Sequence, residues 1–275
     1  RASDMASGMS TPQDSGIVRY RLEVSYKGAA YAGWQIQPNA DTIEAQLLKA
    51  AAGIGIRDAK IIGAGRTDAG VHAQAQGALL TGISTIPGDR LAYAMNTRLP
   101  DDIRINRSAA ASTDFHPRYS ALGKIYTYQV WLGEQASPFY AEYAWRFHCD
   151  PDMKLMREAA DILTGSHDFN AYKSSGSSVK TTVRRIDDIF IEREGPLLTL
   201  RFQGNGFLYN MVRILTGTIV QAGTGKIPIE QVRRSLVSRS RGDAGITAPP
   251  QGLCLTRVLY PEDPEWDSQK HSEIL

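Results

Sequence analysis

Two hydrophobic periods alternate in a fixed order between residues 17 and 110, and this order narrows the possible folds more than any other feature. "IVRYRLEVSY", residues 17 to 26, alternates polar and apolar side chains as a half-buried strand does. "DTIEAQLLKAAG" opens with Asp41 and Glu44 in capping-box spacing and ends at Gly53, which predicts a helix. "AKIIGAG" reads as a strand entering a glycine turn, and "VHAQAQGALL" as the strand that leaves it. A helix in "GDRLAYAMNTRLP", stopped by Pro100, and an alternating "DIRINRSAA" complete the set. The order β-α-β-β-α-β is that of a split βαβ, ferredoxin-like unit. It predicts an α+β fold with a mostly antiparallel sheet and helices on one face.

The second half repeats this order with additions. "GKIYTYQVWL" predicts a strand. "DPDMKLMREAADILTG" predicts a helix with Asp150 at its cap, Pro151 at its first position and Gly165 past its end. "TTVRRIDDIFIER" and "LLTLRFQGNG" read as strands, "GFLYNMVRILTGTIVQAG" as an apolar helix, "PIEQVRRSLVS" as a shorter helix and "GLCLTRVLY" as a closing strand. The expected organisation is an N-terminal α+β domain over residues 17–110 and a C-terminal one over 111–262, their sheets joined or abutting around a cleft. Residues 1–16 read as a disordered tail or expression remnant, and 263–275 as an acidic tail. "YKSSGSSVK", residues 172 to 180, is a polar loop that either closes on a ligand or only connects.

Composition sets broad limits. At 275 residues and 42% hydrophobic, the chain can bury a sizeable core. No apolar run approaches the ~18 residues of a membrane span, and the first residues lack the apolar segment of a signal peptide. The two cysteines, Cys149 and Cys254, read as buried thiols in a reducing, cytoplasmic setting. "HCD" at His148 has no second half-site with ligand spacing, so no metal is expected. The net charge of +2 is uninformative, but arginine outnumbers lysine 22 to 9. Arginine suits a bidentate grip on phosphate, which permits an RNA partner without requiring one.

Three stretches carry candidate chemistry. The first is "GAGRTDAG", residues 63 to 70. A dinucleotide turn needs a third glycine where Asp68 stands, and a helix rather than a strand after it. The phosphate-loop pattern lacks its "GK[ST]". What remains is a strand–turn–strand displaying Arg66, Thr67 and Asp68: either a structural turn with a salt bridge or a presented, reactive carboxylate. The second is "FHPRYSALGKIYTYQVW", where Tyr126, Tyr128 and Val130 share one strand face and His116, Arg118 and Lys124 lie just upstream. Such tyrosines are either core or a surface on which a base stacks beside groups that hold its phosphates. The third is "GNGFLYNMVRILTG", with Arg213 in an apolar helical run and Tyr209 one turn before it. Arg213 either snorkels to the surface or is buried against an acid, and Asp68 is the unplaced acid. Paired in this way, Asp68 would stay ionised and act as nucleophile or base.

With these stretches in hand, the chain resembles the tRNA pseudouridine synthases of the TruA family, in its bacterial form. "GAGRTDAGVHAQ" is similar to the family's catalytic motif. "YKGAAYAGWQIQPN", "TIEAQLLKA", "MNTRLPDDI", "DFHPRYSALGKIYTYQV" and "GFLYNMVRILTG" follow in the family's order, over roughly residues 17 to 262. The resemblance implies isomerisation of uridine to pseudouridine at positions 38, 39 and 40 of the tRNA anticodon stem-loop. It implies no cofactor and no metal, a homodimer, and a pseudouridine synthase fold of two ferredoxin-like, RRM-like halves around a central cleft. It maps the catalytic aspartate onto Asp68 and the arginine that helps displace the target nucleotide onto Arg66. The uracil-stacking tyrosine falls on Tyr126 and the basic partner of the aspartate on Arg213. His116, Arg118 and Lys124 are possible RNA contacts. "LYNMVR" lacks the basic or histidine residues often found before "MVR", and the 172–180 loop lacks a cysteine often found there. The residues leave attack at C1', attack at C6 and a glycal route equally open. A non-catalytic RNA-binding protein of two RRM-like units shares the topology, but neither half has an aromatic-rich strand of the RNP form. A plain interaction protein would bind no tRNA.

Overall fold

The computed structural model describes residues 16–176 and 178–269. Most of the expected N-terminal tail, Ser177 of the polar loop and the last six residues lie outside them. The elements in chain order are β1 (Ile17–Tyr26), α1 (Ile43–Gly53), β2 (Arg57–Gly63), β3 (His72–Ile83), α2 (Gly88–Asn96) and β4 (Ile103–Ala110). Then come β5 (Gly123–Leu132), β6 (Trp145–Phe147), α3 (Met153–Leu163), β7 (Gly165–Asp168), β8 (Val183–Glu194) and β9 (Leu197–Gly204). The chain continues through α4 (Met211–Gly223), α5 (Ile229–Ser238), β10 (Leu253–Leu259) and α6 (Pro264–Asp267). The two short strands β6 and β7 have no alternating pattern in the sequence and were not expected.

All ten strands form one sheet of order β4-β1-β3-β10-β5-β9-β8-β7, with β2 on β3 and β6 on β5. Pairing is antiparallel except at β3–β10 and β5–β6, so the α+β, mostly antiparallel expectation holds. The last long strand of the chain thus lies mid-sheet. β10 joins the two halves through a short parallel pairing of Cys254 with His72 and Leu255 with Ala73. One edge of β3 serves two partners: β2 along residues 78–83 and β10 at residues 72–73. Between these pairings the chain leaves β2 and makes the 64–71 turn.

Several helix starts differ from the sequence reading, each for a local reason. In α1 the cap is Thr42, whose Oγ1 accepts from Ala45 N, and not Asp41. Asp41 instead accepts from Gln46 Nε2, and Glu44 accepts from Ile36 N. In α3 the cap is Asp152, which takes Lys154 N at 2.7 Å, while Asp150 pairs with Arg193 of β8. Helix α4 begins at Met211, because Asn210 adopts the left-handed conformation at φ 61°. Tyr209 therefore precedes the helix, is exposed, and does not sit one turn below Arg213. Every residue of α4 except Arg213 is buried. Its threonines bond back to the helix, Thr216 Oγ1 to Val212 O and Thr218 Oγ1 to Ile214 O, so the burial leaves no hydroxyl unpaired.

Two further differences concern side chains. Cys149, expected to be buried, is exposed in the loop after β6, whereas Cys254 is half-buried and its desolvated thiol is pushed up to about 12. The first part of the expected acidic tail is packed. Asp263 caps α6, Trp266 is buried, and the guanidiniums of Arg21 and Arg107 lie 4.1 and 4.3 Å from its ring centroid.

Candidate active site

The 64–71 turn is fixed by its backbone from three sides. Ala64 N donates to Gly77 O of β3, and Gln76 Nε2 donates to Gly65 O, both at 2.8 Å. Trp34 N, from the loop after β1, donates to Thr67 O at 3.0 Å. Thr67 is buried and its Oγ1 shares a 2.7 Å hydrogen bond with the hydroxyl of Tyr26. Burying Thr67 turns its neighbours outward, so Arg66 and Asp68 both face the cleft. Val71 N closes the turn on Asp68 O. Two glycines here have identifiable reasons. Gly70 has φ 81°, the left-handed region that side chains avoid, and at Gly65 a Cβ would lie 2.8 Å from Lys124 Nζ.

The turn lines a cleft of about 860 Å³ whose opposite walls are β5, the 206–212 segment and the polar loop. Arg66, Asp68, Arg118, Lys124 and Tyr126 all line it. His116 does not. Its ring stacks on Tyr119 at 4.3 Å, and its Nδ1 accepts from the backbone of Arg118 and Tyr119. Arg213 stands behind the acid, outside the lining, with Nη1 3.9 Å from Asp68 Oδ2. Its head is held by Nε to Ala248 O at 2.7 Å and by Nη1 to Asn210 Oδ1 at 2.9 Å. The pair is thus a charge contact, while the strong hydrogen bonds of Arg213 go elsewhere. Arg66 and Asp68 do not pair with each other among the contacts of the described residues.

Electrostatics refine the sequence reading of an acid held ionised by its partner. Burial raises the Asp68 carboxyl above the ordinary range, and Arg213 offsets only part of that rise. Tyr126 is 8% exposed, packs edge-on against Phe207 at 5.2 Å, and has its phenol raised by burial and then by the nearby Asp68 charge. It is both a core residue and a cleft residue, whereas Tyr128, fully buried and donating to Pro249 O, belongs to the core alone.

Four positions in or around this site were not read from the sequence as site residues. Arg184 of β8 enters the cleft as another cation. Tyr26 holds the turn from an apolar position of β1, which reads only as core, and Gln76 from a polar position of β3 that alternation alone would face to solvent. Asn210 orients Arg213, and its Nδ2 donates to Ser174 Oγ, which ties the polar loop to the start of α4. Its signal was visible only as a departure, the asparagine before "MVR". Among the described residues no three His, Cys, Asp or Glu side chains gather as a metal-binding group, and no helix is long and apolar enough to cross a membrane.

Within the lining, one carboxylate faces four cations, Arg66, Arg118, Lys124 and Arg184, at the fork of a continuous α+β sheet. The fold is that of a pseudouridine synthase. The family model for tRNA pseudouridine synthase matches residues 23–120 and 159–261. A tRNA pseudouridine synthase A of Syntrophomonas wolfei is 44% identical over 248 residues, covering 89% of this chain and 98% of the relative. One from Acetivibrio thermocellus is 43% identical over 240 residues, covering 87% and 98%. A chain of a solved Cbf5-Nop10-Gar1 complex is a remote likeness, with TM-score 0.34 and 14% identity over 88% of this chain and 60% of that one. The chain belongs to the tRNA pseudouridine synthase family, and is an isomerase acting on tRNA uridine.

Proposed function

We propose that this enzyme converts uridine to pseudouridine at positions 38, 39 and 40 of the tRNA anticodon stem-loop, with Asp68 as the ionised catalyst. The observation that carries the reading is that Asp68 is the one acid lining a cleft otherwise furnished with cations. The reaction breaks the N1–C1' bond, turns the uracil, joins C5 to C1', and moves the C5 proton to solvent while N1 takes one up. It is redox-neutral and transfers no external group. Asp68 acts as an anion by attacking C1', attacking C6, or taking a proton from C2'. A carboxyl raised by burial is a better proton acceptor than an ordinary one, which suits the removal of the C5 proton.

A stacked target nucleotide has to leave the stem to reach this acid. Arg66 is exposed at the mouth of the cleft, without a carboxylate partner among the described residues, which suits it to fill the vacated space. Tyr126, beside Asp68, is the ring on which the extruded uracil stacks. In this reading Arg213 positions Asp68, residues 17–110 bring the acid and residues 111–262 complete the pocket. The enzyme works as a cytoplasmic homodimer, with each tRNA touching both subunits.

The test is incubation of unmodified tRNA transcript with the purified enzyme, followed by position-resolved mapping of pseudouridine. Product confined to positions 38–40 is expected. Product elsewhere, or binding without product, rejects the assignment.

A further inference from the structure

The cleft contains a cluster of like charges that Asp68 does not neutralise. Lys124 leaves β5 half-buried with its ammonium partly desolvated, and among the described residues it has no hydrogen bond or ion pair. The charges that bear on it are Arg118 and Arg184, both unfavourable to its own. The guanidinium of Arg184 is aimed by Nη1, which donates to Thr181 O and Val183 O at 2.9 and 2.7 Å. All three side chains line the same cleft, whose one acid is already engaged with Arg213. Burying a cation without a partner is costly, and setting two more beside it adds repulsion. Burial and the two arginines push the Lys124 ammonium down to about 8. A fold keeps such a cluster at no net loss when a ligand brings the missing negative charge.

The position of Lys124 says which charge. Lys124 and Tyr126 are two residues apart on one face of β5, a spacing of about 7 Å. This is the scale that separates a base from a phosphate of its own nucleotide, with the sugar between. On its other side the ammonium lies against the turn, where a Cβ at Gly65 would meet Nζ at 2.8 Å. Lys124 therefore lies against the Gly65 end of the turn, one strand step from the tyrosine that stands beside Asp68.

We propose that Lys124, Arg118 and Arg184 bind one backbone phosphate of the very uridine whose base lies at Tyr126 and Asp68. This rests on the reading of the cleft as the site of uridine isomerisation. The phosphate site fixes the ribose between two anchors, base and phosphate, so that C1' is presented to Asp68. It also gives the flipped nucleotide a charge interaction that a nucleotide left in the stem does not make. Lys124 is then a binding residue whose burial costs stability in the free enzyme and is recovered on the substrate.

The experiment uses tRNA assembled with an uncharged methylphosphonate at the linkage 5' or 3' to the target uridine, with wild type, Lys124→Met and Lys124→Arg. On all-phosphate tRNA, Lys124→Met should lose roughly ten- to hundredfold in kcat/KM, the range of one charge-assisted hydrogen bond. One of the two neutral linkages should cost wild type and Lys124→Arg a similar factor, and cost Lys124→Met little further. The free Lys124→Met enzyme should melt no lower than wild type, because a desolvated charge repelled by two arginines has gone. Indifference of wild type to both neutral linkages overturns the proposal, as does a Lys124→Met enzyme that remains as sensitive to them as wild type. These outcomes are distinct from failure of the parent reading, in which wild type makes no pseudouridine on the all-phosphate tRNA.

Discussion

Replacing Arg213 with methionine isolates the charge contact behind Asp68. The guanidinium is held by Ala248 O and Asn210 Oδ1, and these bonds leave Nη1 3.9 Å from the carboxylate. Unit charges at that range interact by about 4 kcal/mol at an effective dielectric near 20. The side chains are 15% and 26% exposed, so water takes up part of this. If half remains, about 2 kcal/mol, the balance between ionised and protonated acid changes about thirtyfold. Burial already raises the Asp68 carboxyl, and losing Arg213 moves it further in the same direction. With Asp68 as the anionic catalyst proposed above, turnover should be present above its raised pKa and be lost as pH falls through it. The assay is kcat/KM against pH, from release of tritium at C5. The acid limb of Arg213→Met should lie at higher pH than that of wild type, with activity about thirtyfold lower on the limb and converging at high pH. A limb that does not move refutes the charge contact. A uniform loss at every pH, with a lowered melting temperature, assigns Arg213 to structure alone.

Asp68→Asn should abolish turnover while tRNA binding persists in a gel-shift titration, and it should raise the melting temperature at neutral pH. The sign follows from the raised carboxyl, since a folded state that resists ionisation is less stable once pH exceeds the ordinary carboxylate value. Gly65→Ala brings a methyl within 2.8 Å of Lys124 Nζ, the movable end of a flexible chain. Stability should change by less than about 1 kcal/mol in urea titration, while kcat/KM falls toward that of Lys124→Met. His72 is buried at the β3–β10 junction, where Nδ1 accepts from Gly28 N and Nε2 faces Glu142 O and Gln251 O. Burial lowers it from 6.5, so its stabilising contribution is complete above that value and is lost as pH falls below it. The urea midpoint of wild type should drop more steeply below pH 6.5 than that of His72→Gln.

The elements were legible where one face is buried and the period is regular. Strands β1, β3, β4, β5, β8 and β9 fall where alternation placed them. Capping was less legible, because neighbouring capping residues, Asp41 with Thr42 and Asp150 with Asp152, compete for one helix end and only packing selects between them. Asp150 fitted the cap pattern, but Arg193, 43 residues away, claims it. Within the site, Arg66, Asp68, Lys124 and Tyr126 were legible as residue types set in unusual surroundings. Arg184 was not, since an arginine in an alternating strand looks solvated until the sheet order brings β8 to the cleft. Asn210 was legible only as a departure from the family pattern, because its left-handed backbone ends one segment and starts another, and an apolar run conceals that break.

The sheet explains why the acid and three of its four cations come from different halves of the chain. β1 pairs with one edge of β3 along nearly its whole length, and the other edge is divided between β2 and β10. A strand that changes neighbours leaves a gap between them, and the backbone crossing that gap has to be satisfied by something other than a ladder. Here the 64–71 turn fills it, with Gly77 O, Gln76 and Trp34 N supplying the bonds. The turn is therefore rigid without being part of the sheet, which is what a presented carboxylate requires. Because β10 also carries β5 alongside, the same junction that opens the gap places Tyr126 and Lys124 opposite it. The cleft is a consequence of how the two halves join, and its charges come from both sides of that junction: Arg66 and Asp68 from the turn after β2, and Arg118, Lys124 and Arg184 from the half that β10 brings alongside.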